Sequence, residues 1–110
     1  MKLPNGDRAY IPREKIERYL LAPEHPAGGA KARFFLNVGF DAERPDDLIS
    51  ALRQIARNGL VAETIHTSHG IKYAVDGMVT TPSDRCVRLR TIWIRNPDSY
   101  RPRFVTAYPQ

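Results

Sequence analysis

The feature that most constrains the fold is a change of hydrophobic period at Asn58-Gly59. Before it, apolar residues recur at helical spacing; after it, they come in short β-branched and aromatic runs. Pro12 suits a first helical position, and Ile16, Tyr19 and Leu20 follow at i, i+3 and i+4, which predicts an amphipathic helix ending near Leu21. Pro23, Pro26, Gly28 and Gly29 then interrupt it with a loop. Ala32, Phe34, Phe35, Leu36 and Val38 predict a second, well-buried helix from Gly29, with Gly39 where a left-handed residue ends it. A third begins at Pro45, carries Asp46 and Asp47 in its first turn where the helix dipole favours negative charge, and runs through Leu48, Leu52, Ile55 and Ala56 to Asn58-Gly59.

Downstream, Val61 to Ile65, Ile71 to Val75, Val87 to Ile94 and Phe104 to Tyr108 read as strands. His69-Gly70 and Asp76-Gly77 read as turns or bulges, and Pro82-Ser83-Asp84 as the tip of the next connection. Short connections imply an antiparallel meander. The expected architecture is α+β, a single domain over residues 1–110 with N-terminal helices packed on one face of an antiparallel sheet of about four strands.

With 42% hydrophobic residues and 26% charged among 110, the chain can bury its own core. Cys86 is the only cysteine, so no internal disulfide forms, and within an apolar run it is expected to be a small buried hydrophobe. No leader-like or membrane-spanning apolar run is present, and the expected compartment is the cytoplasm, with delivery as the C-terminal domain of a larger secreted toxin as the variant of that reading. Seventeen Lys and Arg against twelve Asp and Glu give a net charge of +5, which favours polyanionic partners.

Lys31 is the most informative single residue. It falls between Phe34, Phe35 and Val38 on the apolar side of its helix and in the first turn, where a cation is disfavoured by about 0.3 to 1 kcal/mol. A bound anion, also met by backbone N–H groups after Gly28-Gly29, removes the conflict; so does a lysine stem that snorkels past Phe34 to water. His25 lies six residues earlier, close enough to share a pocket. A neutral imidazole that takes a proton from a ribose 2′-hydroxyl, and a cation that stabilises the phosphorane, are the parts of metal-free RNA transesterification. A loop histidine bonded to a backbone carbonyl fits the same spacing.

His66 and His69 have no carboxylate or cysteine near them at metal-ligand spacing, and the chain lacks a phosphate-binding P-loop, a nucleophile elbow and a zinc-protease helix motif. Neither metal nor cofactor is expected. On the third strand, alternation puts Val87, Leu89, Thr91 and Trp93 on one face and Arg88, Arg90, Ile92 and Ile94 on the other. On the last, Phe104, Thr106 and Tyr108 are expected to share a face, with Thr106 beside Thr91. Arg85, Arg88, Arg90, Arg95, Arg101 and Arg103 give the sheet half a candidate phosphate-binding face.

The segments Leu3-Pro4-Asn5-Gly6, Tyr19-Leu20-Leu21, Pro23-Glu24-His25-Pro26, Gly28 and Lys31-Ala32-Arg33-Phe34-Phe35 resemble an uncharacterised bacterial domain family. Tyr73, Val75-Asp76-Gly77, Arg90-Thr91-Ile92-Trp93-Ile94 and Arg103 to Pro109 extend the likeness over nearly the whole chain. That family is in turn similar to the barnase/EndoU/colicin/RelE-like superfamily of metal-independent ribonuclease toxins. The resemblance implies a toxin that cleaves RNA, with a cognate antitoxin or immunity protein as partner. It implies His25 as general base or acid, Lys31 as electrostatic stabiliser, Arg90 as phosphate ligand, and Thr91, Thr106 and Tyr108 as orienting groups. Gly28, Gly29, Arg33 and Arg88 are expected to contact substrate. Ala27 stands where the pattern leads one to expect a larger polar residue, and Arg90 and Thr91, being adjacent on a strand, serve one site only across a bulge. The rival expectations are a non-catalytic protein- or nucleic-acid-binding module, such as the immunity partner or an adaptor, and a structural subunit of a larger assembly.

Overall fold

The computed structural model describes residues 1–26 and 29–110. It has the helices-first, strands-second order that the period change implies. A short 3₁₀ turn, Gly6–Arg8, leads to α1 (Arg13–Lys15), which continues as one π-helical turn, Ile16–Leu20. Two further helices, α2 (Gly29–Asn37) and α3 (Pro45–Asn58), precede four strands: β1 (Leu60–Thr67), β2 (Gly70–Thr80), β3 (Cys86–Arg95) and β4 (Arg103–Pro109). The strands form one antiparallel sheet in sequence order, an α+β architecture.

Helix α3 follows its sequence signals to the residue, from Pro45 at its first turn to Asn58. Its buried stripe, Leu48, Leu52, Ile55 and Ala56, packs on the sheet face formed by Tyr73, Val75, Leu89, Trp93, Phe104 and Ala107. At Gly77 the helix packs close on β2: a Cβ there would stand 2.9 Å from Ile55 Cγ1. That close approach is why a glycine sits in mid-strand, and Asp76-Gly77, expected as a turn or bulge, is continuous β2 paired with Arg90 and Leu89. Trp93 and Phe104 meet edge to face at 5.4 Å at the centre of the core.

Three further expectations are corrected. Helix one is no regular α-helix: the Leu21 N–H donates to the Ile16 carbonyl, five residues back, at 2.9 Å. That wider turn buries Ile16, Leu20 and Leu21 together while Lys15 and Tyr19 stay half-exposed. Cys86 is exposed, because alternation back from the buried Leu89 puts it, like Arg88, on the sheet face turned away from α3. In β4, Ile92 pairs with Thr106 but Trp93 pairs with Phe104, so Val105 is an extra, bulged residue. Phe104 and Thr106 therefore lie on opposite faces, and Thr106 is turned away from Thr91.

Candidate functional site

The bulge at Val105 decides which side chains can meet. Phe104 and Ala107 point to the core, while Thr106 and Tyr108 join Arg90 and Ile92 on the face turned away from α3. Lys31 reaches that face from α2, which packs against both the π-turn and β4. Its ammonium donates to the Tyr19 hydroxyl at 2.9 Å and to Thr106 Oγ1 at 3.2 Å, and the two hydroxyls are 3.4 Å apart. The result is a small polar triangle built from α2, the π-turn and β4.

Aromatic rings frame it. The Lys31 ammonium lies 5.4 Å from the Tyr19 ring centroid and 5.9 Å from that of Tyr108, and the Lys15 ammonium lies 5.5 Å from the Tyr19 ring centroid. The His25 imidazole meets the Tyr19 ring edge to face at 5.1 Å. The backbone of His25 is itself pinned, its N–H donating to the Ala22 carbonyl at 3.1 Å and its carbonyl accepting from Gly29 N–H at 2.9 Å. The hydrogen bond from Lys31, then that with Thr106, holds the Tyr19 phenol below the ordinary tyrosine pKa, since an ammonium at the oxygen stabilises phenolate. The triangle thus holds an acidified phenol and a cation, with an imidazole packed on its edge.

Arg90 lies on the same face, opposite Tyr108. Its guanidinium is engaged by Asp76 in a bidentate pair, Nε to Oδ1 at 2.8 Å and Nη2 to Oδ2 at 2.9 Å, and Gln110 donates to the same carboxylate at 3.0 Å. Arg90 holds the Asp76 carboxyl below its usual range, and Asp76 pushes the arginine pKa up. Thr91 belongs to the core: fully buried, it accepts from Trp93 Nε1 at 2.7 Å and donates to the Val75 carbonyl at 2.8 Å.

Of the residues singled out from sequence, the structure brings together His25, Lys31, Thr106 and Tyr108 around Tyr19, and sets Arg90 beside Tyr108. Gly29 is buried against the Pro23 carbonyl at the start of α2, where a Cβ would come within 2.5 Å of that oxygen; Arg33 is exposed on the same helix. Gly28 lies outside the described residues. The arginines do not form one face. Arg88 and Arg90 share the face of Thr106, Arg101 stacks 5.4 Å from the Tyr10 ring, and Arg95 has a buried Nε. Tyr19 and Lys15 were missed, because the i, i+3, i+4 spacing reads Tyr19 as core and says nothing of the hydroxyl that a half-buried tyrosine must satisfy. Among the described residues no three His, Cys, Asp or Glu side chains cluster as metal ligands would, and no helix is long and apolar enough to cross a membrane.

The fold and site define a class: a small basic α+β domain in which α2, the π-turn and the edge strand β4 bring together a Lys–Tyr–Thr cluster on the sheet face opposite its main helix. Residues 2–110 match the family described as Domain of unknown function (DUF6883), and the chain belongs to that family. No curated protein matches it in sequence. Among solved structures, a chain of a contact-dependent growth inhibition toxin–immunity protein complex from Klebsiella pneumoniae 342 superposes with a TM-score of 0.72 at 14% identity. The match covers 93% of this chain and all of the other. At that identity the likeness is one of fold.

Proposed function

We propose that this chain is the toxin of a toxin–immunity pair, a metal-independent endoribonuclease that cleaves RNA by attack of its own 2′-hydroxyl. The observation that carries this is the convergence of the Lys31 ammonium with the Tyr19 and Thr106 hydroxyls, beside His25, on a basic domain. His25 takes the 2′-hydroxyl proton, the 2′-oxygen attacks phosphorus, and the bond to the 5′-oxygen breaks. The products are a 2′,3′-cyclic phosphate and a 5′-hydroxyl end. Lys31 stabilises the charge that develops on the phosphoryl oxygens. The acidified Tyr19 phenol supplies a proton to the leaving 5′-oxygen, and Thr106 and Tyr108 orient the phosphate. Arg90, with Nη1 outside its pair with Asp76, contacts a flanking phosphate. The superposition on a chain of a toxin–immunity complex supports a cognate inhibitor as partner; on this reading the toxin acts on RNA in a cytoplasm.

A second reading has its own observation. Arg90 is held by Asp76, whose carboxylate also accepts from Gln110, as a finished structural pair, as suits a non-catalytic module such as an immunity protein. Tightly repressed expression of wild type beside Lys31→Ala separates the two. The toxin reading expects growth arrest and RNA fragments with 2′,3′-cyclic phosphate ends in wild type, and a loss of about 10²- to 10³-fold in cleavage rate in the variant. Intact RNA and normal growth from soluble wild-type protein refute it.

A further inference from the structure

Beyond the Lys31 cluster, the same sheet face carries a hollow of about 520 Å³ whose lining includes Lys15, Lys72, Arg103, His69 and Asn96. No acidic residue lines it. Among the described residues no salt bridge involves Lys15, Lys72 or Arg103. Three cations around one concavity repel each other, and with no carboxylate paired to them among the described residues the arrangement favours an incoming anion. The Asn96 side chain donates to the His69 carbonyl at 3.1 Å, fixing the β1–β2 turn that brings His69 to the rim. Ile94 and Val105 supply apolar surface in the lining.

The hollow adjoins the cluster. Arg103 and Val105 are on β4 with Thr106, and Lys15 lies over the ring of Tyr19, whose hydroxyl is bonded to Lys31. From Arg103 to Thr106 the strand advances about 7 Å, because the bulge at Val105 sets three residue steps of β4 against two of β3. We infer that this hollow is a backbone-phosphate subsite for a single-stranded nucleic acid, which seats the phosphodiester next to the bond at Lys31 and lays the strand along β4. It rests on the proposed ribonuclease reading for what the strand is doing there; the recognition itself is of phosphate and is sequence-independent. The apolar patch of Ile94 and Val105 accepts a sugar or base face between the charges.

The test is binding of a fluorescently labelled single-stranded DNA decamer, which lacks the 2′-hydroxyl and so is not consumed, at several salt concentrations. The proteins compared are wild type, Lys72→Gln/Arg103→Gln, the charge-keeping Lys72→Arg/Arg103→Lys, and Arg44→Gln/Arg57→Gln. The last pair removes two equal charges from exposed positions on α3 and its N-cap, across the sheet. The pocket pair is expected to weaken binding about tenfold and to lower the slope of log affinity against log salt by about 1.4, two phosphate contacts' worth on a single strand. The charge-keeping pair is expected to retain most of both. An unchanged slope in the pocket pair, or an equal fall in the α3 pair, overturns the subsite. Inorganic phosphate that displaces the decamer at millimolar concentration, with a wild-type slope no steeper than a single contact, overturns it in favour of a free-anion site. Failure of wild type to cut RNA sinks the nuclease reading alone, because the decamer assay involves no turnover.

Discussion

Thr91→Val isolates one buried hydroxyl. Valine has nearly the volume of threonine, so no cavity opens and the backbone pairing of β3 with β2 and β4 is untouched. What changes is that the Trp93 indole N–H loses its acceptor and the Val75 carbonyl loses a donor, in a core where Thr91 and Trp93 are both fully buried. A buried polar group left unsatisfied costs about 1 to 3 kcal/mol, so two together should remove about 3 kcal/mol. For a chain of 110 residues that loss lowers the melting temperature by about 13 °C. Thr91→Ser keeps both hydrogen bonds and gives up one methyl group, for about 1 kcal/mol. Urea unfolding followed by fluorescence of the single tryptophan measures both variants. A valine variant as stable as wild type, or a serine variant less stable than the valine one, would refute the assignment of this hydroxyl to the core network.

Three other outcomes follow from the geometry. Near-UV absorbance titration should show one tyrosine of the five ionising before the rest, and Lys31→Met should return it to the ordinary range; an unchanged curve would mean that Lys31 does not acidify Tyr19. Because the folded Asp76 pKa lies below its unfolded value, its pair with Arg90 contributes stability above the ordinary carboxylate pKa of about 4, and that contribution is lost as pH falls below it. Asp76→Asn should therefore show a smaller drop in urea midpoint between neutral pH and strong acid than wild type does, and an equal drop would discount the pair. Gly6→Ala drives a methyl group into the Ala56 backbone carbonyl at the end of α3, where nothing can rotate aside, and should cost about 3 kcal/mol in the same assay. Wild-type stability there would show that the N-terminal turn is free to move.

Most of the architecture is written in the sequence as period. Helix α3 is bounded by proline, paired aspartates and a glycine stop, each acting locally, and the strands by β-branched runs. What period does not encode is where it breaks. The π-turn at Ile16–Leu20 and the bulge at Val105 each change by one residue which side chains share a face, and neither carries a proline or glycine that would announce it. Lys31 is visible as a cation in an apolar context, but its partners are not. Tyr19 lies 12 residues before it and Thr106 lies 75 after, joined only by the tertiary fold. Arg90 is legible as a strand arginine, while its commitment to Asp76 depends on the β2–β3 register.

The extra residue in β4 acts as a parity switch. Removing Val105 would leave the strand its length and composition to within one residue yet exchange the destinations of everything on one side of it: either Thr106 and Tyr108 would turn inward beneath α3 and Ala107 outward, or Phe104 would leave Trp93. The strand tip and the strand base thus answer to different demands. A lineage can alter Thr106 and Tyr108, and with them what the surface does, without disturbing a core atom, so long as the single insertion that separates the two registers is kept.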